Sequence, residues 1–217
     1  MLILAFDTAT STATAALVRD GVVLGERAVP SRGLMAAIDE LLDGAGVVPG
    51  DLDGVACGVG PGSFTGVRIG LAHARGIALA LDVPVAGVST LAALTAGAGD
   101  GMTAVVASSG VAAPAVIAVV DARRSEVFVL DRSGERCIRP ADLAFAPGTL
   151  LVGDGAVRYR ELLERAGGDV PAAASELHLP RARFHVLLAR SFGPADEALP
   201  VYLRAPDAKQ AVQAGAA

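Results

Sequence analysis

The sequence contains few of the residues with which enzymes most often hold metal ions or phosphates. It has a single lysine, Lys209, together with three histidines, two cysteines and no tryptophan. No two histidines stand four residues apart, as a helical metal pair would require, and neither HExxH nor GxSxG occurs. These absences argue against metal-dependent hydrolysis, and we predict that no metal ion is bound.

The two cysteines, Cys57 and Cys137, do not form a CxxC or any other metal-binding spacing. Cys57 stands in the apolar run 55–59, so it is expected to be a small buried side chain. This cysteine usage fits a reducing compartment, and we expect a cytoplasmic protein. A disulfide between the two residues is left open by the sequence.

Charge is sparse and slightly negative. Charged residues make up 19% of the chain and hydrophobic residues 53%, with a net charge of −5, so disorder of the whole chain is excluded. The longest basic cluster is Arg123-Arg124, so no basic stripe predicts a nucleic-acid surface. If RNA is the final target, another molecule is expected to make most of the contacts.

One uncharged stretch, residues 101–120, is nominally long enough to cross a bilayer. A Ser-Ser-Gly sequence and Pro114 interrupt it, and Asp121 follows directly. We therefore interpret the stretch as two short strands or a loop that leads into a buried strand. The N-terminus has no basic leader and reaches Asp7 too soon for a signal peptide, so no membrane segment is predicted.

The first hundred residues alternate between apolar strands and amphipathic helices. Asp-Gly at 20–21, between two apolar stretches, predicts a hairpin turn, and Ser89 is positioned to cap a helix. The expected strands are 3–6, 12–18, 22–28, 52–59 and 83–88, and the expected helices are 34–42, 65–81 and 89–96.

The second half begins in the same order as the first. An apolar strand at 116–120 precedes Asp121 as strand 3–6 precedes Asp7, and a hairpin follows in both halves. A strand at 150–152, a turn with glycines and a helix at 156–166 complete the second unit. This duplication predicts an α/β protein of the actin/hexokinase-like (ASKHA) fold with a reduced second lobe. The expected divisions are an N-terminal lobe at 1–100, a C-terminal lobe at 101–207 and a flexible tail at 208–217.

The glycine-rich segment from Gly58 to Gly66 follows a predicted strand and opens a predicted helix. Backbone N–H groups at such a helix start can face an anion, and glycines permit close approach. The segment is neither a Walker loop, because no lysine follows, nor a dinucleotide fingerprint. The alternative is a tight strand-to-helix connection without a ligand. The candidate residues are Gly60, Pro61, Gly62, Ser63 and Thr65, with Ser63 or Thr65 as the helix cap and a positive φ at Gly60 or Gly62.

The acids that end the first strand of each half form a second candidate site. Asp7 is followed by Thr8 and Thr10, and an acid with nearby hydroxyl groups can hold a hydrated divalent cation or a phosphate. Asp121, with Arg123 beside it, occupies the equivalent position in the second half. Taken singly, each acid also fits ordinary turn chemistry. Their duplication favours a nucleotide- or phosphate-binding cleft, or the vestige of one, between the lobes.

Four segments resemble the TsaB family in their order and sequence: ILAFDTAT at 3–10, GVGPGSFTGVRIG at 58–70, DARRSEVF at 121–128 and PVYLR at 200–204. The resemblance implies a non-catalytic paralogue of the transferase TsaD. Such a protein is needed to form N6-threonylcarbamoyladenosine beside the anticodon of tRNAs that read A-starting codons. TsaD is then the expected heterodimer partner, the ATPase TsaE joins the pair, and tRNA is contacted only through the complex.

Two features around the first predicted helix bear on this resemblance. The catalytic paralogues hold a metal through an HxxxH pair on their first-lobe helix, whereas helix 34–42 contains no histidine, in agreement with a non-catalytic role. The preceding segment 30–33 departs from the family pattern because it is short and lacks the usual His-Ser.

A partner surface is expected on the helix at 65–81, which carries small residues every four positions from Gly66 to Ala78. Because most of its circumference is small or apolar, this helix has to be covered on more than one side. We expect it to meet two equivalent helices of TsaD together with helix 34–42, and to form a homodimer when the chain is alone. The alternative is that the two lobes bury it completely. The predicted interface residues are Leu34, Ile38, Leu41, Gly70, Ala74, Ile77 and Ala78.

Two other functions remain open at this stage. An autonomous ATP-dependent enzyme of the actin-like fold, such as a small-molecule kinase, would use Asp7 and Asp121, although the scarcity of lysine and histidine counts against it. A glycoprotease-like metallopeptidase shares the family's ancestry but lacks metal ligands here. No tightly bound cofactor is expected, and binding of ATP or ADP would be weak or limited to the complex.

Overall fold

The computed structural model describes residues 1–109 and 115–204, with only the backbone described at 100–109. Part of the apolar stretch at 101–115 and the predicted tail at 208–217 lie outside the described residues. No helix in the described ranges is long and apolar enough to cross a membrane.

The first sheet has five strands in the order β3-β2-β1-β4-β5. Strand β1 pairs antiparallel with β2 and parallel with β4. The predicted hairpin turn is confirmed, because Asp20 and Gly21 both have positive φ, 50° and 82°, as a tight Asp-Gly turn requires. The strands are β1 Leu2–Asp7, β2 Thr12–Arg19, β3 Val22–Pro30, β4 Gly54–Gly58 and β5 Val85–Val88.

Helices α1 (Leu34–Ala45) and α2 (Phe64–Leu81) cover one face of this sheet. Their buried apolar residues pack on Leu4 and Phe6 of β1, whose neighbours in sequence point to the opposite face. Helix α6 (Ala182–Leu188) covers that opposite face.

The second sheet has four strands in the order β8-β7-β6-β9, again with an antiparallel hairpin next to a parallel strand. Helix α3 (Thr90–Ser109) covers one face, and α4 (Asp154–Arg158) with α5 (Arg160–Arg165) covers the other. The strands are β6 Val116–Arg123, β7 Glu126–Asp131, β8 Gly134–Ile138 and β9 Leu150–Val152. This repeated strand order confirms the predicted two-lobed actin-like α/β fold.

The two halves of the chain exchange helices across the lobes. Helix α3 follows the first sheet in sequence but packs on the second, whereas α6 follows the second sheet and packs on the first. The two helices also contact each other. A division at residue 100 therefore falls within a helix, and each sheet depends on the other half for its cover.

Two predicted elements differ from the structure. Helix α3 continues to Ser109 instead of ending at Ala96, so residues 101–109 are helical and not strands or a loop. The helix predicted at 156–166 is divided at Tyr159 into α4 and α5. The cap of α3 is confirmed, because Oγ of Ser89 accepts the N–H of Ala92 at 3.1 Å.

Candidate functional site

A cleft of about 880 Å³ lies between the two lobes. Its walls are the β1–β2 connection, the start of α2, the β6–β7 turn, the start of α4 and the last described segment of the chain. The polar and aromatic residues that line it are Thr10, Ser11, Ser31, Ser63, Phe64, Thr65, Arg68, Asp121, Arg123, Phe128, Asp154, Tyr202 and Arg204.

The glycine turn brings the start of α2 against the β1–β2 connection. A β-carbon on Gly62 would lie 2.5 Å from the carbonyl oxygen of Ala9, and one on Gly66 would lie 2.1 Å from that of Thr8. Since both obstacles are backbone atoms, only glycine permits this approach. The predicted positive φ is found at Gly60, at 87°.

The helix cap in this turn is Ser63 and not Thr65. Its Oγ accepts the N–H of Gly66 at 3.3 Å, while its own N–H donates to the carbonyl of Ala9 at 2.7 Å. Ser63 and Thr65 line the cleft with Gly62, whereas Gly60 and Pro61 are buried beneath it. The turn thus has a structural role in its first part and reaches the cleft in its second.

Asp7 does not face the cleft, contrary to the prediction. Its side chain is fully buried, and its Oδ1 accepts the N–H of Ala9 at 2.6 Å. Its Oδ2 accepts a hydrogen bond from Thr90 Oγ1 at 2.7 Å and lies 2.9 Å from Nε2 of His185, which donates to it. Both carboxylate oxygens are therefore used by protein groups.

Of the polar residues predicted next to Asp7, one is buried with it and one lines the cleft. Thr8 is also buried, and its Oγ1 donates to the carbonyl of Gly66 at 2.7 Å, so it holds β1 to α2. Gly58 leaves room for the acid, because a β-carbon there would lie 2.1 Å from Oδ2 of Asp7. Among the predicted first-lobe polar residues outside the glycine turn, Thr10 alone lines the cleft.

Asp121, the equivalent acid of the second lobe, does line the cleft. Its Oδ2 lies 3.2 Å from Nη1 of Arg123 and 3.4 Å from Nη1 of Arg158, so it is neutralised by two arginines. Its N–H donates to Oδ1 of Asp154 at 2.9 Å. Burial, and to a lesser degree the charge of Asp121, raises the pKa of Asp154 above its ordinary value.

An aromatic and guanidinium cluster at the mouth of the cleft was not predicted from the sequence. Phe64 is the first residue of α2, and its ring centroid lies 5.8 Å from that of Tyr202. The guanidinium of Arg68 lies 3.6 Å from the Phe64 centroid, and its Nε donates to Oη of Tyr202 at 3.0 Å. The only sequence signal was that Phe64 and Tyr202 stand inside the GPGSFTGVR and PVYLR segments.

The residues predicted to face a partner are mostly buried inside the chain, which corrects that prediction. Each of them packs on the first sheet or on the β1–β2 connection; Gly70, for example, leaves no room for a β-carbon, which would lie 2.4 Å from Oγ1 of Thr8. Ile77 is half-buried, and the fully buried ones are Leu34, Ile38, Leu41, Gly70, Ala74 and Ala78.

The two cysteines are not linked by a disulfide in the structure. Cys57 and Cys137 are both free thiols, and burial, with the nearby charge of Asp7, raises the pKa of Cys57 to about 12. Within the described ranges, no three His, Cys, Asp or Glu residues come close enough to hold a metal ion.

Residues 30–147 match the family model of TsaD, described as tRNA N6-adenosine threonylcarbamoyltransferase. The chain is 40% identical over 133 residues to the tRNA threonylcarbamoyladenosine biosynthesis protein TsaB of Escherichia coli, a match that covers 59% of this chain and 53% of that protein. The match thus spans about half the length of this relative.

Longer matches extend along almost the whole chain. An uncharacterized protein of Mycobacterium tuberculosis is 35% identical over 95% of this chain and 93% of its own length. The solved structure of YeaZ from Pseudomonas aeruginosa is 30% identical, with a TM-score of 0.70 over 93% of this chain and 99% of that one. These matches, with the two-lobed fold and its glycine turn, show that the chain belongs to the TsaB family.

Proposed function

We propose that this chain is a non-catalytic subunit needed to form N6-threonylcarbamoyladenosine beside the anticodon of tRNAs that read A-starting codons. It pairs with TsaD in the cytoplasm, and the ATPase TsaE joins the pair. The observation that carries the proposal is family membership, because the TsaB relatives are named for threonylcarbamoyladenosine biosynthesis and the matching family model is that of the transferase.

The state of Asp7 supports a non-catalytic role. In an autonomous ATP-dependent enzyme, an acid at this strand end would have to contact a cation or a phosphate. Here both of its oxygens bond to Ala9, Thr90 and His185 in a closed interior. Binding of ATP or ADP is therefore expected to be weak or limited to the complex.

The outer face of α2 is the surface we propose for pairing. Ile69, Ala72, Gly76 and Leu79 recur at helical spacing and are all exposed, with 85% of Leu79 accessible. A row of apolar and small residues permits the close approach of another helix. Covering a large exposed leucine removes apolar surface from water and favours association with a partner. This face replaces the buried stripe around Ala74 that the sequence suggested.

Reconstitution tests the function directly. Threonylcarbamoyladenosine is measured in tRNA by mass spectrometry with TsaD, TsaE and the remaining biosynthetic components, in the presence and absence of this chain. Modification that depends on the chain supports the proposal. Equal modification without the chain, or steady-state ATP hydrolysis by the isolated chain at a rate typical of a kinase, would contradict it.

Substitutions on α2 test the pairing surface. Ala72→Arg places a charge on the exposed face and is expected to leave a folded chain that neither self-associates nor co-purifies with TsaD. Leu187→Arg is the matched control, because Leu187 is an exposed apolar residue of α6, on the opposite face of the first sheet. A folded Ala72→Arg variant that still co-purifies with TsaD would exclude this face.

A further inference from the structure

We propose that Phe64, Arg68 and Tyr202 form a stacking platform for an unpaired base of a single-stranded RNA loop. The inference rests on the proposed function and deepens it, because it assigns this chain a direct contact with the RNA that the complex modifies. The platform consists of these three side chains at the mouth of the inter-lobe cleft.

Two exposed aromatic rings lie side by side at the mouth of the cleft. Aromatic residues make up only 4% of the sequence. In the described part of the chain, Phe64 at 54% and Tyr202 at 46% are the aromatic side chains that remain largely exposed, and they are neighbours. Exposed rings are unfavourable in water, so their pairing at a cleft indicates that a ligand covers them.

The cluster combines two aromatic rings with a guanidinium plane. The two rings are tilted by 34°, and Arg68 covers one face of Phe64 while it is held by the hydroxyl of Tyr202. Aromatic rings and guanidinium planes are the surfaces on which proteins stack unpaired RNA bases. Among the described residues, no protein group accepts a hydrogen bond from the two terminal nitrogens of Arg68, which leaves them for a phosphate or a base edge.

The platform is held in position by the backbone on both sides. Phe64 is anchored at the start of α2, where Ser63 caps the helix. Tyr202 is carried by a chain segment whose Val201 N–H donates to the carbonyl of Val59 at 2.8 Å, and whose Arg204 bonds to Ala122 and Glu126 of the second lobe. A preorganised platform binds a base without first ordering its own side chains.

The charge of the cleft fits an RNA loop whose backbone is held elsewhere. Arg68, Arg123 and Arg204 line the cleft, together with Asp121, which is ion-paired, and the largely buried Asp154. Because only three arginines of the described ranges line the cleft, they can neutralise only a few phosphates of a bound RNA. The affinity of this contact for RNA is therefore expected to depend only weakly on salt concentration. Stacking on the bases, and not contact with the phosphate backbone, then supplies most of this chain's contribution to the free energy of RNA binding.

A docking site for a protein would differ from this cluster. Protein interfaces have an apolar core of several contiguous side chains, with charge depleted at the centre. Here a guanidinium lies at the centre, and hydroxyls and charged groups of the cleft adjoin the rings. The exposed apolar face of α2 described above meets the protein-interface pattern better.

The test measures binding of a fluorescein-labelled RNA hairpin with an unpaired loop to the full chain, alone and assembled with TsaD. Phe64→Leu and Tyr202→Leu remove one ring each, and Arg68→Gln removes the guanidinium. Leu187→Ala and Arg165→Gln are the matched controls, since both residues are exposed and neither lines the cleft. Circular dichroism confirms that each variant is folded.

Each ring variant is expected to bind the hairpin at least about fivefold more weakly, the loss for one base–ring stack, with the controls unchanged. Hairpins with 5-iodouridine in the loop should cross-link to Phe64 or Tyr202. The inference is overturned if no hairpin binding is seen in either form, if the ring variants bind normally, or if AMP competes as well as the hairpin. It is also overturned if the ring variants lose binding to TsaD or TsaE but bind the hairpin as the wild type does.

The two proposals fail in distinguishable ways. If the wild-type chain does not support tRNA modification, the proposed function fails. If the wild-type chain supports modification and Phe64→Leu does so equally well at limiting tRNA, only the platform is excluded.

Discussion

Asp7 and Asp121 occupy the same position in the two halves of the chain, and each accepts the N–H of the residue two positions ahead, but their other partners differ. Asp7 is fully buried and accepts hydrogen bonds from the N–H of Ala9, the hydroxyl of Thr90 and the ring of His185. Asp121 lines the cleft and forms ion pairs with two arginines. The duplicated unit has kept its backbone topology while its polar positions have diverged. One acid now stabilises the fold, and the other shapes the surface of the cleft.

The largest effect is expected from Asp7→Ala. The substitution leaves Thr90 and His185 without their partner in a closed interior, and Nδ1 of His185 already has no partner in the described ranges. We expect the free energy of unfolding to fall by about 3 kcal/mol or more. Urea denaturation measures the change, and a loss comparable to that of Asp121→Ala would remove the distinction between the two acids.

Gly62→Val should have the next largest effect, because its β-carbon would meet the backbone of Ala9. Overpacking of this kind lowers the free energy of unfolding by about 2 kcal/mol. Gly50→Val is the control, since a β-carbon there meets nothing within 4 Å. Thermal unfolding, TsaD co-purification and tRNA modification are measured for both variants. Unchanged stability of Gly62→Val with lost modification would mean that the turn contacts a ligand.

Asp121→Ala should destabilise the chain by about 1 kcal/mol, less than Asp7→Ala. The carboxylate is only 7% exposed and accepts the N–H of Arg123, but the guanidinium groups of Arg123 and Arg158 are largely exposed and can turn to solvent. The ion pairs screen with salt, so the difference from wild type should shrink as sodium chloride is added. A loss of several kcal/mol in urea denaturation would show that this acid, too, is structural.

The smallest effect concerns the pH dependence contributed by Asp154. Because folding raises its pKa above the ordinary 3.8, its contribution to stability is complete below that pH and declines as pH rises through the raised pKa. Asp154→Asn removes this decline and keeps an oxygen to accept the N–H of Asp121. Urea denaturation over a pH series should show wild-type stability falling relative to the variant, and a constant difference would contradict the shift.

Much of the fold was predictable because it depends on local pattern. Short apolar stretches predicted the strands, Asp20-Gly21 predicted the hairpin turn, and Ser89 predicted a helix cap. The far end of α3 was not predictable, because Gly97, Gly99 and Gly101 lower helix propensity and the chain continues as a helix regardless.

The site was only partly predictable because its contacts are distant in sequence. His185 reaches Asp7 across 178 residues, and Arg68 reaches Tyr202 across 134. The small residues of α2 indicated that another element packs closely against this helix, but they did not identify that element. The answer is the chain's own β1–β2 connection, where Thr8 lies against Gly66 and Gly70.

The exchange of α3 and α6 between the lobes has a consequence for synthesis of the protein. The first sheet is complete once β5 has left the ribosome, but one of its faces stays bare until α6 follows about a hundred residues later. Neither half can bury its core alone, so the nascent N-terminal half should remain susceptible to protease until α6 emerges. The finished chain should then unfold in one cooperative step, since removing either helix uncovers a sheet that belongs to the other half.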